Sequence, residues 1–168
     1  MLTSHELFGF MSPSLALDII SYTHENDKPL YRATLGAVAD ARKLRPIFLE
    51  RQPKPQRHEA MHASLARPSL EPVAGNLIRG WLFKKHKPLL IDFLNGLGVT
   101  HEDGVVEQLP PSMDDDKLRA AVEALLAKYP PETVAVYLHI FNGMNDQEWV
   151  NLTTLLNSDA RLQLGAGA

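Results

Sequence analysis

The 168-residue chain contains no cysteine, which excludes a disulfide framework, a thiolate nucleophile and a Cys-type zinc site. No apolar run approaches the roughly 18 residues that cross a bilayer. The first eleven residues lack the basic start and long apolar stretch of a secretory leader, so a cytoplasmic protein is the expectation. Aromatic residues are scarce at 7%, and the formal net charge is only −3. With 45% apolar and 22% charged residues, the composition excludes a disordered, fibrous or strongly polybasic chain. A Gly-rich phosphate loop and a G-x-S-x-G elbow are also missing.

What is present is helical periodicity almost throughout. Leu30, Ala33, Thr34, Ala37, Val38 and Ala41 follow the i, i+3, i+4, i+7 spacing of an amphipathic helix. Leu70, Val73, Ala74, Leu77, Ile78, Trp81 and Leu82 do the same, as do Leu118, Ala121, Val122, Leu125, Leu126 and Tyr129. The punctuation agrees. Thr3 with Glu6, Ser112 with Asp115, and Asn145 with Glu148 each place a capping side chain three residues ahead of an acid. Pro13, Pro29 and Pro131 sit where the first turn of a helix leaves a backbone N–H unpaired anyway. Gly96 and Gly98 can supply the positive φ that ends an apolar helix.

These signals predict helices near 3–10, 13–25, 28–43, 56–66, 69–85, 88–97, 115–129, 131–143 and 146–157. The fold class is therefore all-α, an irregular multi-helix bundle of about eight or nine short helices with little or no β-structure. Arg51–Gln56, with two prolines in six residues, reads as a connection and the most mobile loop. The interval 99–113 is the one long stretch without helical period. The expected organisation is one compact helical domain over 1–161, with subregions 1–98 and 112–158 joined by that interval, and a frayed tail over 162–168.

The small net charge conceals a strong asymmetry. Residues 1–40 carry −3, residues 41–87 carry +8 and residues 88–168 carry −8. Such a pattern points to an anionic partner, unless the basic middle packs against its own acidic flanks. The partner-binding candidates are Arg42, Lys43, Arg45, Arg79, Lys84, Lys85 and Lys87, which suit an acidic protein, a nucleic acid or anionic lipid. Trp81 shares the apolar stripe of its helix and belongs to the core rather than to a base-stacking surface.

One named motif remains. His58-Glu59-Ala60-Met61-His62 matches H-E-x-x-H, in which two imidazoles four apart on a helix hold zinc and the intervening Glu activates water. His58 and His62 are the metal-ligand candidates and Glu59 the catalytic one. The extended signature with a third His is absent, since Ala63 to Pro68 supply no ligand, and Met61 and Leu65 make this an ordinary apolar face bordered by two histidines. Asp114, Asp115 and Asp116 fit the first turn of a helix, where acids complement its dipole. The reading that follows is a non-enzymatic helical interaction or adaptor domain binding an acidic partner through residues 42–87. A metal-dependent hydrolase on His58, Glu59 and His62, and a nucleic-acid-binding domain, are the alternatives.

Overall fold

The computed structural model describes residues 1–165 and is all-α, with ten α-helices, two single 3₁₀ turns and no strand among the described residues. In chain order the helices are α1 (Ser4–Phe10), α2 (Pro13–Asn26), α3 (Lys28–Ala41), α4 (Pro46–Glu50), α5 (Lys54–Leu65), α6 (Glu71–Lys85), α7 (Lys87–Leu97), α8 (Asp115–Lys128), α9 (Pro131–Met144) and α10 (Val150–Ser158). The 3₁₀ turns are Pro68–Leu70 and Ala160–Leu162. Among the described residues, no helix is long and apolar enough to cross a membrane.

Local chemistry accounts for most of the boundaries. The Glu6 carboxylate accepts hydrogen bonds from the Thr3 backbone N–H at 2.8 Å and the Thr3 hydroxyl at 2.9 Å, opening α1. Ser12 caps α2 by accepting from the Leu15 N–H, and Asp27 caps α3 by accepting from the Leu30 N–H. Prolines occupy the first turn of α2, α3, α4, α5, α7 and α9, where no donor is lost.

Several boundaries differ from the sequence expectation, while the end of α7 at Leu97 agrees with it. Helix α4 lies outside the predicted set, because five residues are too few to show a period. The connection after it is shorter than Arg51–Gln56, since Pro53 takes the N-cap position and Pro55 falls in the first turn of α5. At the end of α7, Gly98 takes the left-handed conformation with φ +70°, whereas Gly96 stays helical. Gly96 serves packing instead, since a Cβ there would lie 3.2 Å from the Ala121 Cβ of α8. Finally, α10 begins at Val150 rather than 146, because the Trp149 N–H is held by the Asn142 side chain of α9 and not by Asn145.

The described residues fall into two compact units, Leu2–Trp81 and 82–165, the latter together with Met1. The division lies inside α6 and not in the interval 99–113, because α7 and α8, on either side of that interval, pack on each other. In the first unit α2 packs on α3 and α5, and α1 on α5, around Ile19, Ile20, Leu35, Val38, Met61 and Leu65. Glu71 ties the start of α1 to the start of α6 by accepting from the backbone N–H groups of Ser4 and His5. Burial alone would raise the Glu71 carboxyl, but these bonds hold it below the usual carboxylate range.

In the second unit α9 packs on α8 and α10, and Phe93, Phe141 and Trp149 meet edge to face. The interval 99–113 contains one isolated bridge between Glu102 and Val105, closed by Asp103 and Gly104, both at positive φ. Leu162, at the head of the predicted tail, closes a 3₁₀ turn and is fully buried, while 166–168 lie outside the described residues.

Candidate functional site

The first unit carries an unusual corner where α3 ends and α4 begins. Helix α3 closes in a Schellman turn, with the Leu44 N–H donating to the Ala39 carbonyl at 2.8 Å and the Lys43 N–H to the Asp40 carbonyl at 3.1 Å. Lys43 occupies the left-handed position of that turn, at φ +55°, where glycine is the usual occupant. Pro46 then starts α4, a single turn whose fully buried Leu49 anchors it, and α3 is its main packing partner. From the underside, Arg57 of α5 donates to the Glu50 carbonyl.

With Leu49 turned inward, everything from Arg42 to Phe48 is exposed. This surface interleaves Arg42, Lys43 and Arg45 with Leu44, Ile47 and Phe48, the last 55% exposed. Arg51 and Lys54 extend the charge, and Asp40 and Glu50 are the acids in the same stretch. Among the described residues, Arg42, Lys43, Arg45 and Arg51 have no side-chain hydrogen bond or ion pair.

The remaining predicted cations are placed differently. Arg79 is half-buried and donates to the Asn76 side chain at 2.9 Å. Lys84, Lys85 and Lys87 belong to the second unit, where Lys87 is paired with Asp103 and Lys84 and Lys85 are exposed. Counted by unit, 2–81 holds ten cations and eight acids, because residues 2–40 bring −3 and Lys84, Lys85 and Lys87 of the +8 segment fall in the second unit. Trp81 is in the core, its indole N–H donating to Asp18 at 2.9 Å.

The two motif histidines point to different neighbours. His58 is buried, and its Nε2 is hydrogen-bonded to the Tyr31 hydroxyl of α3 at 2.9 Å. His62 Nε2 donates to the Phe8 carbonyl of α1 at 2.9 Å, so that nitrogen carries a proton and has no lone pair to offer a metal. Glu59 is exposed. No group of three or more His, Cys, Asp or Glu side chains arranged to hold a metal lies among the described residues.

His58 instead belongs to a ring cluster that the motif conceals. His24 of α2 stacks on Tyr31 at 4.2 Å and meets His58 edge-on at 5.4 Å, while the Arg57 guanidinium lies 6.0 Å from the centre of the Tyr31 ring. Burial, with His24, Arg57 and Lys54 nearby, lowers the His58 imidazole to about 4. Burial and the same cations also lower His24, and burial raises the Tyr31 hydroxyl. These are neutral packing groups near pH 7.

The second unit contains a groove of about 860 Å³ lined by Leu90, Leu94, Ile140 and Phe141, with the 104–111 segment along it. Its acids, Glu107 and Asp146, are exposed, and burial keeps the Tyr137 hydroxyl firmly protonated.

Arg51, Leu44, Ile47 and Phe48 are the surface residues that sequence reasoning missed. A signal existed, since Leu44 to Leu49 is too apolar for a solvated loop and yet too short for a core helix. Comparison with known protein families, with curated proteins and with solved structures finds no match.

Proposed function

We propose that this chain is a non-enzymatic helical interaction domain that engages an anionic partner through the corner spanning Arg42 to Lys54. The observation that carries this reading is the exposure of Arg42 to Phe48 in one continuous stretch, with cations that have no acidic partner of their own among the described residues. Charge left without partners on a fixed surface attracts and orients a ligand of opposite sign. The apolar side chains between the charges add contact area of the kind that interfaces bury. Of the wider set of basic candidates, Arg42, Lys43 and Arg45 are retained, with Arg51 added.

Binding of the full chain to polyglutamate, to a DNA duplex and to anionic vesicles at low and high salt tests the reading. Binding should weaken with salt and drop in an Arg42→Gln, Lys43→Gln, Arg45→Gln variant. A parent chain that binds none of these probes, or a variant that binds them equally well, overturns it.

A further inference from the structure

We infer that the anionic partner is a lipid bilayer, and that the α3–α4 corner seats on its surface with Leu44, Ile47 and Phe48 entering the headgroup region. The inference rests on the reading above and identifies its partner.

The argument begins with which side chains are exposed. A bare polyanion such as DNA or polyglutamate is matched by cations alone, and three large apolar side chains beside them would stay in contact with water. A bilayer offers both media within one side-chain length, phosphates and carboxylates outside and acyl chains just beneath. The corner carries both kinds of side chain. Arg42, Lys43, Arg45 and Arg51 are exposed, and exposed Leu44, Ile47 and Phe48 lie between them in sequence.

The second step concerns rigidity. Inward anchoring of Leu49, the proline at the start of α4 and the Arg57 bond to the Glu50 carbonyl hold the turn in place before contact. The exposed side chains of α4 therefore lose little backbone freedom on insertion. The third step concerns Lys43. The same Schellman turn ends α7 with Gly98, yet at the end of α3 a lysine stands in the left-handed position. Strain kept at a position that glycine would relieve is a mark of a side chain used for something else. There it adds an exposed cation next in sequence to Leu44.

Five cations against Asp40 and Glu50 make a modest charge, and three apolar side chains a modest anchor. Either alone gives weak, reversible attachment, and the two together discriminate anionic from neutral membranes.

Co-sedimentation of the full chain with vesicles tests this. Vesicles of phosphatidylcholine plus phosphatidylserine should bind it, and phosphatidylcholine alone should not. About 1 M salt, where the Debye length is ~3 Å, should release it. Removing three cations as Gln should weaken partitioning roughly 100-fold. Ile47→Ser with Phe48→Ser should weaken it roughly 10-fold while leaving the charge unchanged. Both variants change exposed residues, and an unaltered helical circular dichroism spectrum confirms that they fold.

If polyglutamate or DNA is bound and vesicles are not, the lipid inference falls and the interaction reading stands. If the Ile47→Ser, Phe48→Ser variant binds vesicles as the parent does, insertion is refuted. If no anionic probe is bound, both fall.

Discussion

Lys43 and Gly98 hold equivalent positions in two helix-ending turns, and their difference makes the sharpest prediction at the residue scale. A left-handed residue with a Cβ carries a penalty of about 1 kcal/mol that glycine avoids. Lys43→Gly should therefore raise stability by about 1 kcal/mol in denaturant unfolding while weakening binding to anionic vesicles. A loss of stability with vesicle binding unchanged would show that Lys43 is there for the turn alone. Gly98→Ala should do the reverse and cost about 1 kcal/mol. A second pair of residues separates satisfied from unsatisfied polar groups. The Asn142 amide accepts from the Trp149 N–H and donates to the Thr153 hydroxyl, whereas both polar atoms of the Asn145 side chain are buried without a partner. Asn142→Ala should destabilise by about 2 kcal/mol, since it strands the buried Trp149 N–H, and Asn145→Ala should be neutral or slightly stabilising. Equal losses in a thermal or chemical melt would overturn the contrast. Asn145 has the spacing to Glu148 of a capping box, and Asn142 shows why spacing alone misleads, because the donor it serves is the Trp149 N–H, seven residues on and just ahead of the next helix.

At the scale of elements, α4 depends on one side chain. Leu49 is its only buried residue, so Leu49→Ala should loosen the turn at a cost of about 2–4 kcal/mol. Amide exchange should quicken first in residues 46–50, and a uniform rise across the first unit would show that α4 is not a separable element. The longer helices were legible from the sequence because period and caps act within a few residues. The run Leu118 to Leu125 buries its Leu118, Ala121, Val122 and Leu125 as the pattern requires, and Asp114 caps α8 by accepting from the Lys117 N–H. The short or irregular pieces were not legible, for lack of a full repeat in α4 and because a tertiary contact chose the start of α10. The candidate corner was half legible. Its cations stood out in the charge pattern, but whether they find partners depends on residues remote in sequence, and the exposure of Ile47 and Phe48 depends on which way Leu49 turns.

For the whole molecule, buried histidines set the response to acid. His58 and His139 are each lowered by burial to about 4, against an ordinary value of 6.5. As pH falls through 6.5 the unfolded chain takes up these protons before the folded one does, so folding loses stability between pH 6.5 and about 4. Above that window the contribution is fully present, and a shift of this size is worth up to roughly 3 kcal/mol per group. Urea midpoints measured across the window should fall with pH, and His58→Gln should flatten the slope by about one proton. An unchanged slope in that variant would show that His58 titrates normally. The charge pattern also resolves at this scale, since the strong segmental asymmetry becomes ten cations against eight acids in the first unit and a local excess at one corner. The sequence by itself determined the all-helical class, most helix starts and the apolar faces, because these follow from interactions between residues three or four apart. Only the tertiary structure decided that His58 and His62 turn to Tyr31 and to the Phe8 carbonyl, that Lys87 is paired, and that Arg42, Lys43 and Arg45 are left to solvent. Ion pairing and hydrogen bonding act over a few ångströms of space, and the residues that meet there are tens of positions apart in the chain.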